Sequence, residues 1–373
     1  MKITRIEPIL FDAGLQWESV WCFVRVETDE GVSGIGESTT SNPYMAAAVV
    51  KQIAEFVIGQ NPHHIQALWQ RIYTHYHNVR GGNLLLAALS GIEQALWDIK
   101  GKVAGLPVYE LLGGQVRDRV PAYLNHMFFN DIGPDAEPEI YAERAAEAVA
   151  RGYRAVKIIP YGRLRDHATP AELRRATTIV HKVREAIGPE IELAVDSHAR
   201  FGMATAIQAA RALEPYDLLF FEEPVPPENV AAMRKVREAV SVPIAAGERI
   251  YTKWGFRELL EAQAVEFIQP DISHCGGIFE GRMIAALAEC YYVQLLPHCF
   301  YGPVDLMAVL HVGACSPNVL FQERPLQVKE SLQQQELLTS PLQLVEGSLL
   351  VPDGPGLGIT FNEEVLAAHR ISF

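Results

Sequence analysis

Through the middle of the chain, short apolar runs alternate with longer stretches of helical periodicity. The runs are VPAYLNH (120–126), YRAVKII (153–159), IELAVDS (191–197), DLLFFEE (217–223), VPIAAGE (242–248), VEFIQPD (265–271), VQLLPHC (293–299) and VLFQE (319–323). Stretches such as DLLFF are apolar at every position, as strands buried on both faces of a parallel sheet require. Helical segments separate them near 139–151, 169–188, 203–213, 227–240, 254–263, 277–290 and 303–314. The second opens on Thr169-Pro170-Ala171-Glu172, a capping threonine followed by proline and by glutamate three residues on, and stops at Gly188. Alternation with short connections predicts right-handed βαβ units. Eight strands in about 200 residues favour a closed barrel over its rival, an open doubly wound sheet.

The flanks follow another pattern. Residues 1–38 alternate as antiparallel strands, with a turn at Asp29-Glu30-Gly31. Residues 43–59, 62–78 and 84–104 read as amphipathic helices. The tail carries a strand-like GSLLVPD and a turn-rich GPGLG. The expected organisation is an α+β capping domain over 1–118, a barrel over 119–323, and a tail over 324–373 that rejoins the capping domain.

Composition narrows the classes. The chain has 373 residues, 49% hydrophobic and 21% charged, with a net charge of −13. That composition is ordinary for a globular protein, and the acidic charge argues against nucleic acid or an anionic membrane as partner. No stretch approaches the ~20 apolar residues of a membrane span, and the N-terminus lacks a secretory apolar core. The five cysteines, Cys22, Cys275, Cys290, Cys299 and Cys315, show no CxxC spacing and read as buried thiols in a reducing, cytoplasmic setting.

Candidate chemistry lies at the strand ends: Lys157, Asp196, Glu222, Glu248, Asp271, His298 and Glu323. The last six recur about 25 residues apart, one βα unit each. In a parallel barrel all these ends open on one face, where active sites lie. Five converging carboxylates need positive charge among them, because like charges raise one another's pKa. Asp196, Glu222 and Glu248 form a hard, all-oxygen set that favours Mg²⁺ over zinc. Asp271 and His298 on neighbouring strands form a carboxylate–imidazole pair suited to a general base. No GxSxG turn is present, which argues against a serine hydrolase triad.

These residues resemble the enolase superfamily in its mandelate racemase branch. GIGES (34–38) and SGIEQALWDIKGK (90–102) are similar to the family's capping domain, and AVDSH, FFEEP, AAGER, IQPD, LLPH and FQE follow in order at the strand ends. The resemblance implies a (β/α)7β modified TIM barrel covered by capping-domain loops, here 14–21 and 38–45. It implies Mg²⁺ on Asp196, Glu222 and Glu248, removal of the α-proton by the Asp271–His298 dyad, a hydrogen bond from Glu323 to the enolate oxygen, and Lys157 beside the substrate carboxylate. The family also implies a homo-oligomer, from dimer to octamer.

Two departures matter. Ile159 stands where a second lysine is usual, which disfavours two-base racemisation. Asp271 in place of a lysine argues against the lactonizing branch. DSHAR (196–200), with Ala199 replacing the usual glycine, and HCFYGP (298–303) are similar to galactonate- and gluconate-type acid sugar dehydratases. A 2R acid sugar is the implied substrate, with protonated His198 releasing the β-hydroxyl as water. Rival readings are an epimerase or cycloisomerase on the same fold, and a non-catalytic sugar-acid binder. Specificity is expected from Trp17, Trp21 and Tyr44 in the capping loops and from His126, Arg200, His274 and Tyr301 at the barrel mouth.

Overall fold

The computed structural model describes residues 1–15, 19–79, 81–125, 136–162, 164–325 and 336–373. In the N-terminal region, strands β1 (Ile3–Asp12), β2 (Val20–Thr28) and β3 (Ser33–Glu37) pair antiparallel and pack on helices α1 (Pro43–Val57), α2 (Ile65–His75) and α3 (Asn83–Ala104); a short α4 (Val108–Leu111) follows. The glycines of GIGES let β3 lie directly on α3. A Cβ at Gly34 or Gly36 would stand 2.0 Å from the carbonyl oxygen of Ala95 or Gly91. The outer edge of β3 is closed by α3 side chains. Asp98 accepts from the Ile35 N–H, Gln94 accepts from the Glu37 N–H, and Lys102 donates to the Ser33 carbonyl.

The barrel alternates strands and helices: β4 (Arg119–Asn125), α5 (Pro138–Ala150), β5 (Ala155–Ile158), α6 (Pro170–Ile187), β6 (Glu192–Asp196), α7 (Met203–Leu213), β7 (Phe220–Glu222), α8 (Val230–Ala239), β8 (Ile244–Ala246), α9 (Thr252–Glu261), β9 (Phe267–Ile268), α10 (Ile278–Glu289), β10 (Gln294–Leu295), α11 (Pro303–Cys315) and β11 (Gln322–Pro325). Each strand from β4 to β10 pairs in parallel with the next, and β11 pairs with β4. A bridge between Leu295 and Val319 links β10 to the segment entering β11 and closes the (β/α)7β barrel. The box predicted at Thr169 and Glu172 is present at the start of α6. Strands β9 and β10 are shorter than their apolar runs, because Pro270 and Pro297 have no N–H to continue the ladder.

The tail divides between the two halves. Strands β12 (Leu344–Val345) and β13 (Ser348–Leu350) form a hairpin that pairs antiparallel with the start of β4, burying Leu349. The GSLLVPD strand therefore extends the barrel rather than the capping domain. Helix α12 (Glu363–Ala368) and β14 (Arg370–Ile371) then return to the capping sheet, where β14 pairs with β1. Cys290, expected to be buried, is exposed where α10 ends; the other four thiols are buried, and all five are free. Among the described residues no helix is long and apolar enough to cross a membrane.

Candidate active site

Strand periodicity builds the site. Tyr123, Ala155, Ala194, Phe220, Ala245 and Leu296 form one buried cluster inside the barrel. Side chains two residues further along face the same way, one layer nearer the mouth. Those residues are Asn125, Lys157, Asp196, Glu222 and His298, and Glu323 follows Phe321 by the same step. An apolar plug thus ends in a polar layer.

At the centre of that layer the Lys157 ammonium, 1% exposed, donates to Glu222 Oε2 at 2.7 Å and lies 2.8 Å from Glu323 Oε1. Burial alone would lower the Lys157 pKa, but Glu222 and Glu323 override it and hold the group well above its usual value. Lys157 therefore bridges two buried carboxylates and shares its single positive charge between them. Glu323 also accepts from the Asn125 side-chain amide and, at 3.0 Å, from the Cys299 N–H.

His298 and Asp271 meet as expected, with Nδ1 2.7 Å from Oδ2. Asp271 is 1% exposed and its Oδ1 accepts from the Ser273 N–H at 2.8 Å. Burial opposes its ionisation, yet His274 and His298 bring its pKa below the usual value. Burial likewise disfavours the charged His298, but Glu323 and Asp271 outweigh it and raise its pKa. His298 is thus a stronger base than a free imidazole.

The three acids proposed for a metal also stand at this mouth. Asp196 and Glu222 are register partners on β6 and β7, and Glu248 lies just beyond β8. Among the described residues no three His, Cys, Asp or Glu side chains stand close enough to enclose an ion as placed. Arg249 engages both Glu223 and Glu248, and His198 and His298 approach the Glu248 carboxylate as well. The donor set nevertheless fits a hard dication. Among the described residues, Glu222 Oε1 is buried without a hydrogen-bond partner. Burial, then Glu222 and Asp196, push the Glu248 carboxyl well above its usual pKa, and burial raises Asp196. A cation would remove that repulsion. Glu223, the other acid of FFEEP, faces Arg249, whereas Glu222 faces Lys157.

His198 sits at the opposite side of Glu248 from His298. The two Nε2 atoms lie 3.6 Å and 3.5 Å from different oxygens of that carboxylate. His198 and Ala199 have φ of 55° and 53°, the left-handed region, which explains why a glycine suits the Ala199 position. Arg200 Nη2 lies 3.3 Å from His198 Nδ1. Burial first, then Arg249 and Arg200, lower the His198 pKa to about 3. These surroundings favour the neutral imidazole.

Of the expected substrate contacts, Trp17 and His126 lie outside the described residues. Trp21 is buried against Phe11 and Phe23 in the capping domain's aromatic core. Tyr44 is exposed, its ring 6.0 Å from that of Phe373. Tyr301 packs edge-on to His274, which is itself buried. Ile159 is buried and apolar. Sequence reasoning missed Asn125 and Arg249, although Asn125 is a polar strand end and Arg249 follows Glu248 directly.

A parallel barrel with a layer of carboxylates, lysine and histidine at its mouth has the form of an enzyme active site. The comparisons fix the family. Residues 2–113 match the mandelate racemase / muconate lactonizing enzyme N-terminal domain, and residues 141–365 match the enolase C-terminal domain-like family. The chain belongs to the enolase superfamily, in its mandelate racemase subgroup. It is 38% identical over 372 residues to the D-galactonate dehydratase of Ralstonia nicotianae, covering 98% of this chain and 94% of that one. It is 37% identical over 371 residues to the D-galactonate dehydratase of Xanthomonas euvesicatoria, with the same coverage. A solved enolase-superfamily member from Salmonella Typhimurium superposes with a TM-score of 0.90 at 32% identity, over 98% of this chain and 97% of that one.

Proposed function

We propose that the protein dehydrates a 2R acid sugar of galactonate or gluconate type to a 2-keto-3-deoxy acid, in a site loaded with Mg²⁺. It is a hydro-lyase, and the full-length relatives carry the name D-galactonate dehydratase. The observation that supports the mechanism most is the pair of imidazoles flanking Glu248. Behind His298 stands the Asp271 carboxylate; behind His198 stands the Arg200 guanidinium. These environments move the two proton affinities apart, so one histidine suits a base and the other, once protonated, a strong acid.

His298 takes the proton α to the substrate carboxylate, and Asp271 stabilises the imidazolium that results. Glu323, held by Lys157, Asn125 and the Cys299 N–H, would, in its carboxylic acid form, donate a hydrogen bond to the oxygen on which charge develops. His198 gives a proton to the departing 3-hydroxyl, which leaves as water. The anionic substrate supplies the negative charge that favours protonating His198 beforehand. Bound by Asp196, Glu222 and Glu248, Mg²⁺ would offset the negative charge developing on the carboxylate. The resulting enol tautomerises to the keto acid.

The test is a screen of mono- and diacid sugars with Mg²⁺, read by semicarbazide for 2-keto acids. Keto acid from a 2R, 3-hydroxy acid supports the proposal. Exchange of the α-proton in D₂O with no keto product from any acid would favour an epimerase or cycloisomerase. The metal is tested separately by thermal unfolding. Mg²⁺ at about 100 times its dissociation constant adds roughly 2.7 kcal/mol, and Glu222→Gln should lose that gain.

A further inference from the structure

The loop after β9 carries Asp271, and the capping domain grips it along its length. Gln94 donates to Ser273 Oγ at 2.9 Å, Ser90 Oγ accepts from the Gly276 N–H at 3.1 Å, and the Trp69 indole donates to the Gly276 carbonyl at 2.8 Å. Glu93 accepts from the N–H groups of Ile278 and Phe279 at the start of α10. A Cβ at Gly277 would stand 2.2 Å from Glu93 Oε2, so glycine is needed where that carboxylate enters.

His274 lies within this loop, 5% exposed. Its Nε2 is 2.7 Å from the carbonyl oxygen of Thr39, in the capping loop that follows β3. Its Nδ1 is 3.5 Å from Asp271 Oδ2, the oxygen that also receives His298. A carbonyl can only accept, so Nε2 must carry the hydrogen. That fixes the ring's orientation, with Nδ1 turned to Asp271. Tyr301 packs against the ring from the barrel side.

We propose that His274 is a positioning residue, through which the capping loop at Thr39 sets the orientation of the Asp271–His298 dyad. It rests on His298 acting as the general base. His274 touches no reacting atom; it acts by holding Asp271. Its distance to Asp271 is long for a hydrogen bond, so the effect is orientation rather than a second strong bond.

Two variants each keep one contact. His274→Gln retains a donor for the Thr39 carbonyl, and His274→Asn retains an amide near Asp271. With the acid sugar found in the screen, each should lower kcat about ten- to a hundredfold with KM changed less than about twofold, and α-proton exchange in D₂O should fall in parallel. His298→Asn serves as the control. Folded variants that keep wild-type kcat while His298→Asn is inactive overturn the inference alone. Wild-type exchange by His298→Asn overturns the base assignment beneath it. A measurement that needs no variant is the ¹⁵N spectrum of histidine-labelled protein: Nε2 of His274 must carry its hydrogen, and a bare Nε2 contradicts the proposal.

Discussion

The Nδ1 atom of His298 lies 2.7 Å from Asp271 Oδ2, while its Nε2 lies 3.5 Å from Glu248. One nitrogen is committed to a carboxylate, and the other is turned to the mouth of the barrel. Asp271→Asn keeps the shape but removes the charge that stabilises the imidazolium. The expected result is a loss of about 10²–10⁴ in kcat, the range of general-base contributions, with little change in thermal stability. Steady-state kinetics on the folded variant check this.

Lys157 separates two carboxylates that are both fully buried. Lys157→Met leaves them uncompensated, a loss of about 3–5 kcal/mol when a buried pair is broken. Denaturant unfolding of the variant against wild type reads this loss.

Ala199 holds a left-handed backbone, with φ of 53°, in the loop that presents His198. Left-handed geometry costs a Cβ-bearing residue roughly 1–2 kcal/mol, a cost glycine escapes, although glycine gives part of this back in unfolded-chain entropy. Ala199→Gly should raise stability by up to about 1 kcal/mol and leave kcat within about twofold. Chemical denaturation and steady-state kinetics read the two effects.

His311 in α11 is fully buried, and burial lowers its pKa to about 4. The unfolded chain binds this proton near pH 6.5 and the folded chain does not until about 4. Stability is therefore complete above the unfolded value and falls as pH drops between the two, by up to roughly 3 kcal/mol. His311→Gln should flatten this part of the stability curve, as measured by denaturant unfolding from pH 7 to pH 4.

Much of the barrel was legible because one unit recurs: an apolar strand, a polar residue at its end, then an amphipathic helix. Asp196, Glu222, Asp271, His298 and Glu323 needed only that rhythm and the rule that parallel strands open on one face. The contacts between capping domain and barrel carry no such rhythm. Glu37 accepts from the Gly302 and Asp305 N–H groups at the start of α11, and Glu93 does the same for α10. Each is a single acid paired with a helix end between 185 and 268 residues away. The neighbours of His274 are hidden for a similar reason. Its closeness to Asp271 shows in the chain, but Thr39 is brought to it only by folding. Lys157 was found, yet its two partners depend on barrel stagger. The surroundings of His198 are hidden too, because its burial and the approach of Arg249 and Arg200 arise only on folding.

The most direct test of the division between base and acid compares His298→Asn with His198→Asn, following α-proton exchange by NMR in D₂O and keto acid by semicarbazide. The account predicts that His298→Asn shows neither, and that His198→Asn exchanges the proton but releases no keto acid. Keto acid formed at the wild-type rate by either variant would contradict it.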